Sequence, residues 1–478
     1  MLPKFFDRER ELEFLNRVYV EESFKLVVLY GRRRVGKTRL INEFISKKRG
    51  LYFLATDESF DENLKSLKKK FYGFTGKKYF LNIETKSLYD LFELFVKEIG
   101  KTKCVIAIDE FPYLMSTRQG ILSLFQKIVD ELLVNTNIML ILCGSAMSVM
   151  ESEVLGHKTP LYGRNVNVWK VQPFDAFTVC RLFKNFFEPY FVFGGVPYYL
   201  QFYDDRKSLM ENIKINFLSK GQNLYDEPLI LLRQEFRESR TYRLILKYIS
   251  LGYKSVGKLC SATGIDKSNL MKYLSSLEEV GLIRHIVPFG MKRKGIYEIR
   301  DNLFRFWFRF IYPVRDLLEI GNEDVVLENI KKDLDDYFGL CFEYLVEEIL
   351  KSGAIERLRM FNEVHKWWHK DKEIDILALN EKNKEILACE CKWKDKVNAL
   401  RIVKDLIEKL EYVDWNKDKR KEILAIFAKS FSKKINSFEG RKVYCFDLRE
   451  LGRVCRSKKR RWRGRKGKGK KESFINIV

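Results

Sequence analysis

KLVVLYGRRRVGKTRLINEFI, residues 25–45, decides the fold. KLVVLY is a short apolar run of the kind that forms a buried strand, and GRRRVGKT (31–38) is the G-x-x-x-x-G-K-T loop that must follow such a strand. Gly31 and Gly36 let the backbone curl so that successive N–H groups point inward at an anion, and the helix opening at Thr38 adds its positive end. Lys37 is placed for the β and γ phosphates. The Thr38 hydroxyl is placed for one position in the octahedral oxygen shell that Mg²⁺ demands. The arginines Arg32, Arg33 and Arg34 are expected to face an anionic ligand or DNA. With Val35 and Arg39 these residues make up the expected ATP-binding set.

A second element at the right spacing supports the first. CVIAIDEF (104–111) is a continuous apolar run ending in two acids, as expected where a parallel strand emerges at the sheet's carboxyl edge beside the loop. Asp109 is then the Mg²⁺ carboxylate, directly or through water, and Glu110 the base that polarises the attacking water. A third strand, NIMLILCGSA (137–146), ends in Ser145, a polar group able to sense the γ-phosphate or orient that water. The fold class is therefore α/β, with a parallel sheet around a phosphate loop.

LYGRNV (161–166), FGGVPYYL (193–200) and the opening FFDRERELEFL (5–15) complete a recognisable order. Together they resemble the archaeal ATPase family, a branch of the AAA+ and STAND P-loop ATPases. That resemblance implies that Asp7 to Glu11 line an adenine pocket, that Arg164 is a γ-phosphate-sensing or finger arginine, and that Pro197 closes over the base from a helical lid. It also implies ATP and Mg²⁺ as cofactors.

Composition bounds the rest. The chain has 478 residues, 46% hydrophobic and 32% charged, and no apolar run approaches the roughly 20 residues of a membrane span. MLPKFFDRER lacks the build of a signal peptide, so a cytoplasmic protein without a membrane partner is expected. The nine cysteines include no C-x-x-C, and HKWWH (365–369) lacks the glutamate of a helical zinc motif, so reduced thiols and no zinc are expected. Net charge is +24. RSKKRRWRGRKGKGKK (456–471) is expected to be disordered when free, either a solubilising tail or an arm on nucleic-acid phosphates with Trp462 available to stack.

Two further units lie between. YRLILKYISLGYKSVGKLCSATGI (242–265) and DKSNLMKYLSSLEEVGLI (266–283) read as a helix-turn-helix, and IRHIVPFGMKRKGIYEI (283–299) as a hairpin wing with a basic tip at Lys292 to Lys294. Such a winged helix either meets DNA through Lys267, Lys272 and the wing, or holds a nucleotide domain shut. KEIDILALNEKNKEILACECKWK (372–394) reads as strand, turn, strand. With the turn centred between Lys382 and Asn383, Asp375 falls opposite Glu390, and Lys392 shares their face. This hairpin resembles the PD-(D/E)-x-K nuclease superfamily, without its proline. The resemblance implies a restriction-endonuclease-like α/β domain in which Glu343, Asp375 and Glu390 hold a metal and Lys392 assists the water.

The expected domains are a P-loop ATPase with helical lid (1–235), a winged helix (236–315), a nuclease-like domain (316–455) and the basic tail (456–478). The expected function is an Mg²⁺-dependent ATPase coupled to nucleic-acid binding, with cleavage as its further reach. Its rival is a nucleotide-gated switch that binds DNA or a protein partner and cuts nothing. The sequence leaves oligomeric state open.

Overall fold

The computed structural model describes residues 5–156, 159–161, 166–291, 295–361 and 363–463, with side chains through Ser457. A helix α1 (Glu9–Val20) leads into strand β1 (Lys25–Tyr30), and the phosphate loop joins β1 to helix α2 (Lys37–Ile45). Strands β2 (Gly50–Leu54), β3 (Cys104–Asp109), β4 (Ile138–Gly144) and β5 (Asn167–Lys170) complete a sheet of order β2-β3-β4-β1-β5, parallel throughout. β1 is almost wholly buried, and β3 and β4 wholly so, because helices cover both faces of the sheet. Alternate β1 residues divide between two cores: Leu26 and Val28 on one face, Val27 and Leu29 on the other. Since β1 and β4 are neighbours and β3 lies beyond β4, the loop after β1 opens beside the carboxyl ends of both.

The helical lid follows. It includes α3 (Ala176–Leu182), α4 (Pro197–Leu200) and α5 (Glu227–Glu235). The winged helix comprises α6 (Ser239–Ser250), α7 (Val256–Thr263) and α8 (Lys267–Glu279), then an antiparallel hairpin of β6 (Ile283–Ile286) and β7 (Ile296–Ile299). Asp266 caps α8 by accepting from the Asn269 N–H, and Leu270, Leu274 and Leu277 form its buried stripe. The expected wing tip, Lys292 to Lys294, lies outside the described residues.

Helix α9 (Asn302–Phe306) opens the aromatic run, and α10 (Glu323–Lys351) crosses to the C-terminal part. There β8 (Glu363–His369), β9 (Lys372–Asn380), β10 (Glu385–Lys392), β11 (Lys421–Ala428), β12 (Ser437–Phe438) and β13 (Arg441–Asp447) form a mixed sheet of order β12-β13-β11-β10-β9-β8. Helix α11 (Ala399–Leu410) covers one face and α10 packs on the other. The β9–β10 register pairs Ile376 with Cys389 and Asn380 with Glu385, the pairing expected from the sequence.

Two expectations change. Residues from Arg456 do not begin a disordered tail, because helix α12 (Leu448–Arg463) carries the chain on to Arg463. Leu451 and Cys455 are buried, α12 packs on α3, and Arg456 donates to the Lys184 carbonyl at 2.7 Å. Residues 464–478 and the Trp462 side chain lie outside what is described. Second, the edges expected near 235, 315 and 455 are changes of motif, not breaks in packing. One continuous apolar core runs from Phe174 in the lid through Leu274 and Trp307 to Phe427 and Leu451.

Candidate functional site

Glycine is required where the loop leaves β1: Gly31 has φ 153°, and a Cβ there would lie 2.3 Å from the Val171 carbonyl oxygen. Gly36, at φ 94°, turns the chain into α2. Lys37 is buried, with Nζ donating to the carbonyls of Gly31 (2.7 Å) and Arg32 (3.2 Å). Its ammonium is thus held inside the loop by groups that a phosphate oxygen can replace.

The β3 acids converge on the same place. Asp109 is fully buried and accepts from the Thr38 hydroxyl at 2.6 Å, from the Tyr52 hydroxyl at 2.9 Å and from the Glu110 N–H at 2.9 Å. Burial, reinforced by the Asp109 charge, raises the Tyr52 hydroxyl far above its ordinary range, so it stays a donor. Glu110 sits at φ 51° and accepts from Ser145 at 2.7 and 3.1 Å. The loop, Thr38, Asp109, Glu110 and Ser145 therefore form one connected group at the carboxyl edge of three adjacent strands. A hydroxyl and a carboxylate already 2.6 Å apart are the donor set Mg²⁺ takes beside a nucleotide, so the residues present fit that ion.

The loop arginines, expected to face an anion, are engaged by protein side chains. Arg32 donates to Asp301 at 2.7 Å and to Tyr199 at 3.3 Å, Arg33 donates to Tyr113 at 3.1 Å and lies 3.5 Å from Glu235, and Arg34 lies 2.8 Å from Glu227. The carboxylates are brought in by the lid and by the segment after the wing.

Beside the loop lies a cavity of about 510 Å³ lined in part by Asp7, Arg8, Trp169, Phe174 and Thr178. Arg8 donates to the Val35 carbonyl at 2.7 Å and the Gln172 carbonyl at 2.8 Å, which ties the opening segment to the loop. Pro197 begins α4, whose Tyr198 and Tyr199 meet Arg34 and Arg32; the lid reaches the loop arginines through these rings. Gly195 allows the approach, since a Cβ there would overlap the Phe174 carbonyl oxygen. Arg164 lies outside the described residues.

Residues 5–195 match a family described as an ATPase domain predominantly from Archaea. Residues 240–285 match the bacterial regulatory proteins of the arsR family, and 307–403 a family of archaeal and bacterial proteins of unknown function. An uncharacterised protein of Methanocaldococcus jannaschii is 34% identical over 468 residues, covering 94% of this chain and 100% of that one. The chain belongs to the archaeal ATPase family. An uncharacterised ATP-binding protein of the same organism is 53% identical over 45 residues, 9% of this chain and 76% of that one. Among solved structures, the Walker-type ATPase PABY2304 of Pyrococcus abyssi shares the fold, with a TM-score of 0.50 and 23% identity over 64% of this chain and 96% of that one.

In this archaeal ATPase the C-terminal carboxylates are near one another but already engaged. Asp375 accepts from the Cys391 N–H at 2.7 Å, Glu390 pairs with Lys392 at 2.6 Å and Lys409 at 3.3 Å, and Glu343 pairs with Lys366 at 2.9 Å. Burial, then the charges of Glu390 and Glu343, push the Asp375 carboxyl well above its usual range. Lys392 and Lys409 sit on Glu390 and Lys366 on Glu343, although Lys409 is also shared with Asp405 at 2.7 Å and Lys366 with Glu298. Among the described residues no group of three or more His, Cys, Asp and Glu side chains is arranged to hold a metal ion. Asp375, Glu390 and Glu343, the carboxylates expected to hold the metal, lie near one another, each on a protein donor. The sequence reading missed Lys366 and Lys409, which come from β8 and α11; nothing local to the hairpin signals them.

Proposed function

We propose that this chain binds and hydrolyses ATP with Mg²⁺ and uses the cycle to control nucleic-acid binding by its winged helix. The observation that carries the catalytic part is the linked group of Thr38, Asp109, Glu110 and Ser145 around the loop that holds Lys37. Lys37 exchanges its two carbonyl partners for phosphate oxygens. Thr38 and Asp109 would hold Mg²⁺, which when bound neutralises charge on the phosphates. Glu110, oriented by Ser145, takes a proton from the attacking water.

Nucleic-acid binding is supported by exposed charge on the winged helix. Lys258, Lys267 and Lys272 are exposed on α7 and α8. Where α5 meets α6, Arg233, Arg240 and Arg243 line a cleft of about 270 Å³. Most arginines around the phosphate loop are paired with acids, whereas these three have no acid partner among the described residues. Together they offer a backbone-binding face without base readout. The test is ATP turnover with and without duplex DNA, beside DNA affinity with and without ATP. A coupled switch changes both measurements, and the coupling proposal fails if neither partner alters the other's binding or turnover.

For the C-terminal sheet, the lysines on Glu343 and Glu390 favour the reading in which it binds without cutting. Incubation of the full chain with supercoiled DNA in every combination of ATP, Mg²⁺ and Mn²⁺ tests this. Nicking that Asp375→Asn abolishes would make the sheet a nuclease.

A further inference from the structure

The phosphate loop carries three arginines that take no part in the mechanism proposed above. Each meets a carboxylate from far along the chain: Asp301 for Arg32, Glu235 for Arg33 and Glu227 for Arg34, at 2.7, 3.5 and 2.8 Å. The acids are hidden from water, their side chains 6%, 4% and 1% exposed. Burial pushes the Glu227 carboxyl up to about 7 and raises that of Glu235, while Arg34 and Arg33 pull them back, so each of these acids keeps its charge only beside its arginine.

Arg34 carries a second constraint. Its φ of 71° lies in the left-handed region, which is costly for any residue with a Cβ. Such a residue persists there only when its surroundings hold it. Arg34 is held by Glu227 on one side and by the Tyr198 ring, 4.2 Å from its guanidinium, on the other. The conformation of residue 34 sets the direction of the N–H groups that follow it, and those N–H groups are the loop's contribution to a phosphate.

We propose that Glu227 is a positioning residue of the ATP site: by clasping the Arg34 side chain from the lid helix α5, it keeps the phosphate loop in its left-handed, phosphate-ready conformation. Glu235 and Asp301 anchor the two neighbouring arginines in the same way. The inference rests on the ATP reading of this loop. Its consequence is that ATP affinity depends on where the lid sits, because α5 supplies a part of the loop's geometry that the loop cannot hold alone.

The test separates the arginine's backbone from its side chain. Mg·ATP affinity is measured by calorimetry on the full chain carrying Glu110→Gln, which suppresses turnover. Glycine takes a positive φ without steric cost, so Arg34→Ala should bind about tenfold more weakly than Arg34→Gly. Glu227→Gln should cost about tenfold beside Arg34 but less than about twofold in an Arg34→Gly chain, since nothing is then left to clasp. Equal weakening by Arg34→Ala and Arg34→Gly would make the guanidinium a direct ligand and overturn the proposal. So would a Glu227→Gln loss that persists undiminished with glycine at 34, which marks a general loss of folding. Unchanged affinity in Lys37→Ala, by contrast, would sink the ATP reading itself.

Discussion

Lys37 has two carbonyl partners and, among the described residues, no carboxylate partner, so its charge is available to phosphate. Lys37→Ala should therefore weaken ATP binding by about a hundredfold or more, because a charge-assisted contact in a buried site is lost. Glu110→Gln should bind ATP at close to wild-type affinity and release no phosphate, since only the proton acceptor changes. Calorimetry and a phosphate-release assay on the two variants distinguish these roles. Tyr52 was not legible in the sequence: it lies mid-strand in β2, with nothing around it to signal chemistry, yet it donates to Asp109 at 2.9 Å. A hydrogen bond to a charged group contributes about 1.5–3 kcal/mol. Tyr52→Phe should accordingly raise the Mg²⁺ concentration needed for half-maximal turnover by about tenfold, and an unchanged Mg²⁺ titration would show that Tyr52 only packs.

At the scale of elements, the hairpin β9–β10 and its register were legible because side-chain direction alternates and the polar turn fixes the pairing. The state of its carboxylates was not, because Lys409 and Lys366 arrive from elements outside the hairpin. The junction of β7 with α10 gives a testable case of buried charge. Burial alone would raise the Glu298 carboxyl, but Lys366 and Lys254 outweigh it, with Lys254 and Tyr344 also donating hydrogen bonds, and bring it down to about 2. A carboxyl depressed in the folded state adds stability that is present above its unfolded value near 4.5 and lost as pH falls towards 2. Urea unfolding between pH 5 and pH 2 should therefore be less pH-dependent in Glu298→Gln than in wild type. Parallel curves would mean that Glu298 is equally acidic in the unfolded chain.

For the molecule as a whole, net charge and its concentration at the C-terminus predict a salt-dependent nucleic-acid interaction. The anchoring of α12 on the lid sets where a deletion should be made: removal of residues 464–478 spares the helix, whereas a cut at 456 would strip part of it. The shorter chain should bind duplex DNA with a slope of log affinity against log salt that is shallower by about 0.9 for each phosphate released. An identical slope would leave the winged helix and its arginine cleft as the contact. The sequence by itself determined the phosphate loop, the acids at the end of β3, the helix-turn-helix and the C-terminal hairpin, because each is written in a short run of neighbouring residues with a fixed periodicity. The tertiary structure alone decided what holds the loop and what neutralises the hairpin acids. Arg32 and its partner Asp301 stand 269 residues apart, and such a pair forms only when a shared core carries both ends to one place. Charge attracts whatever acid arrives, and no local pattern names which one will.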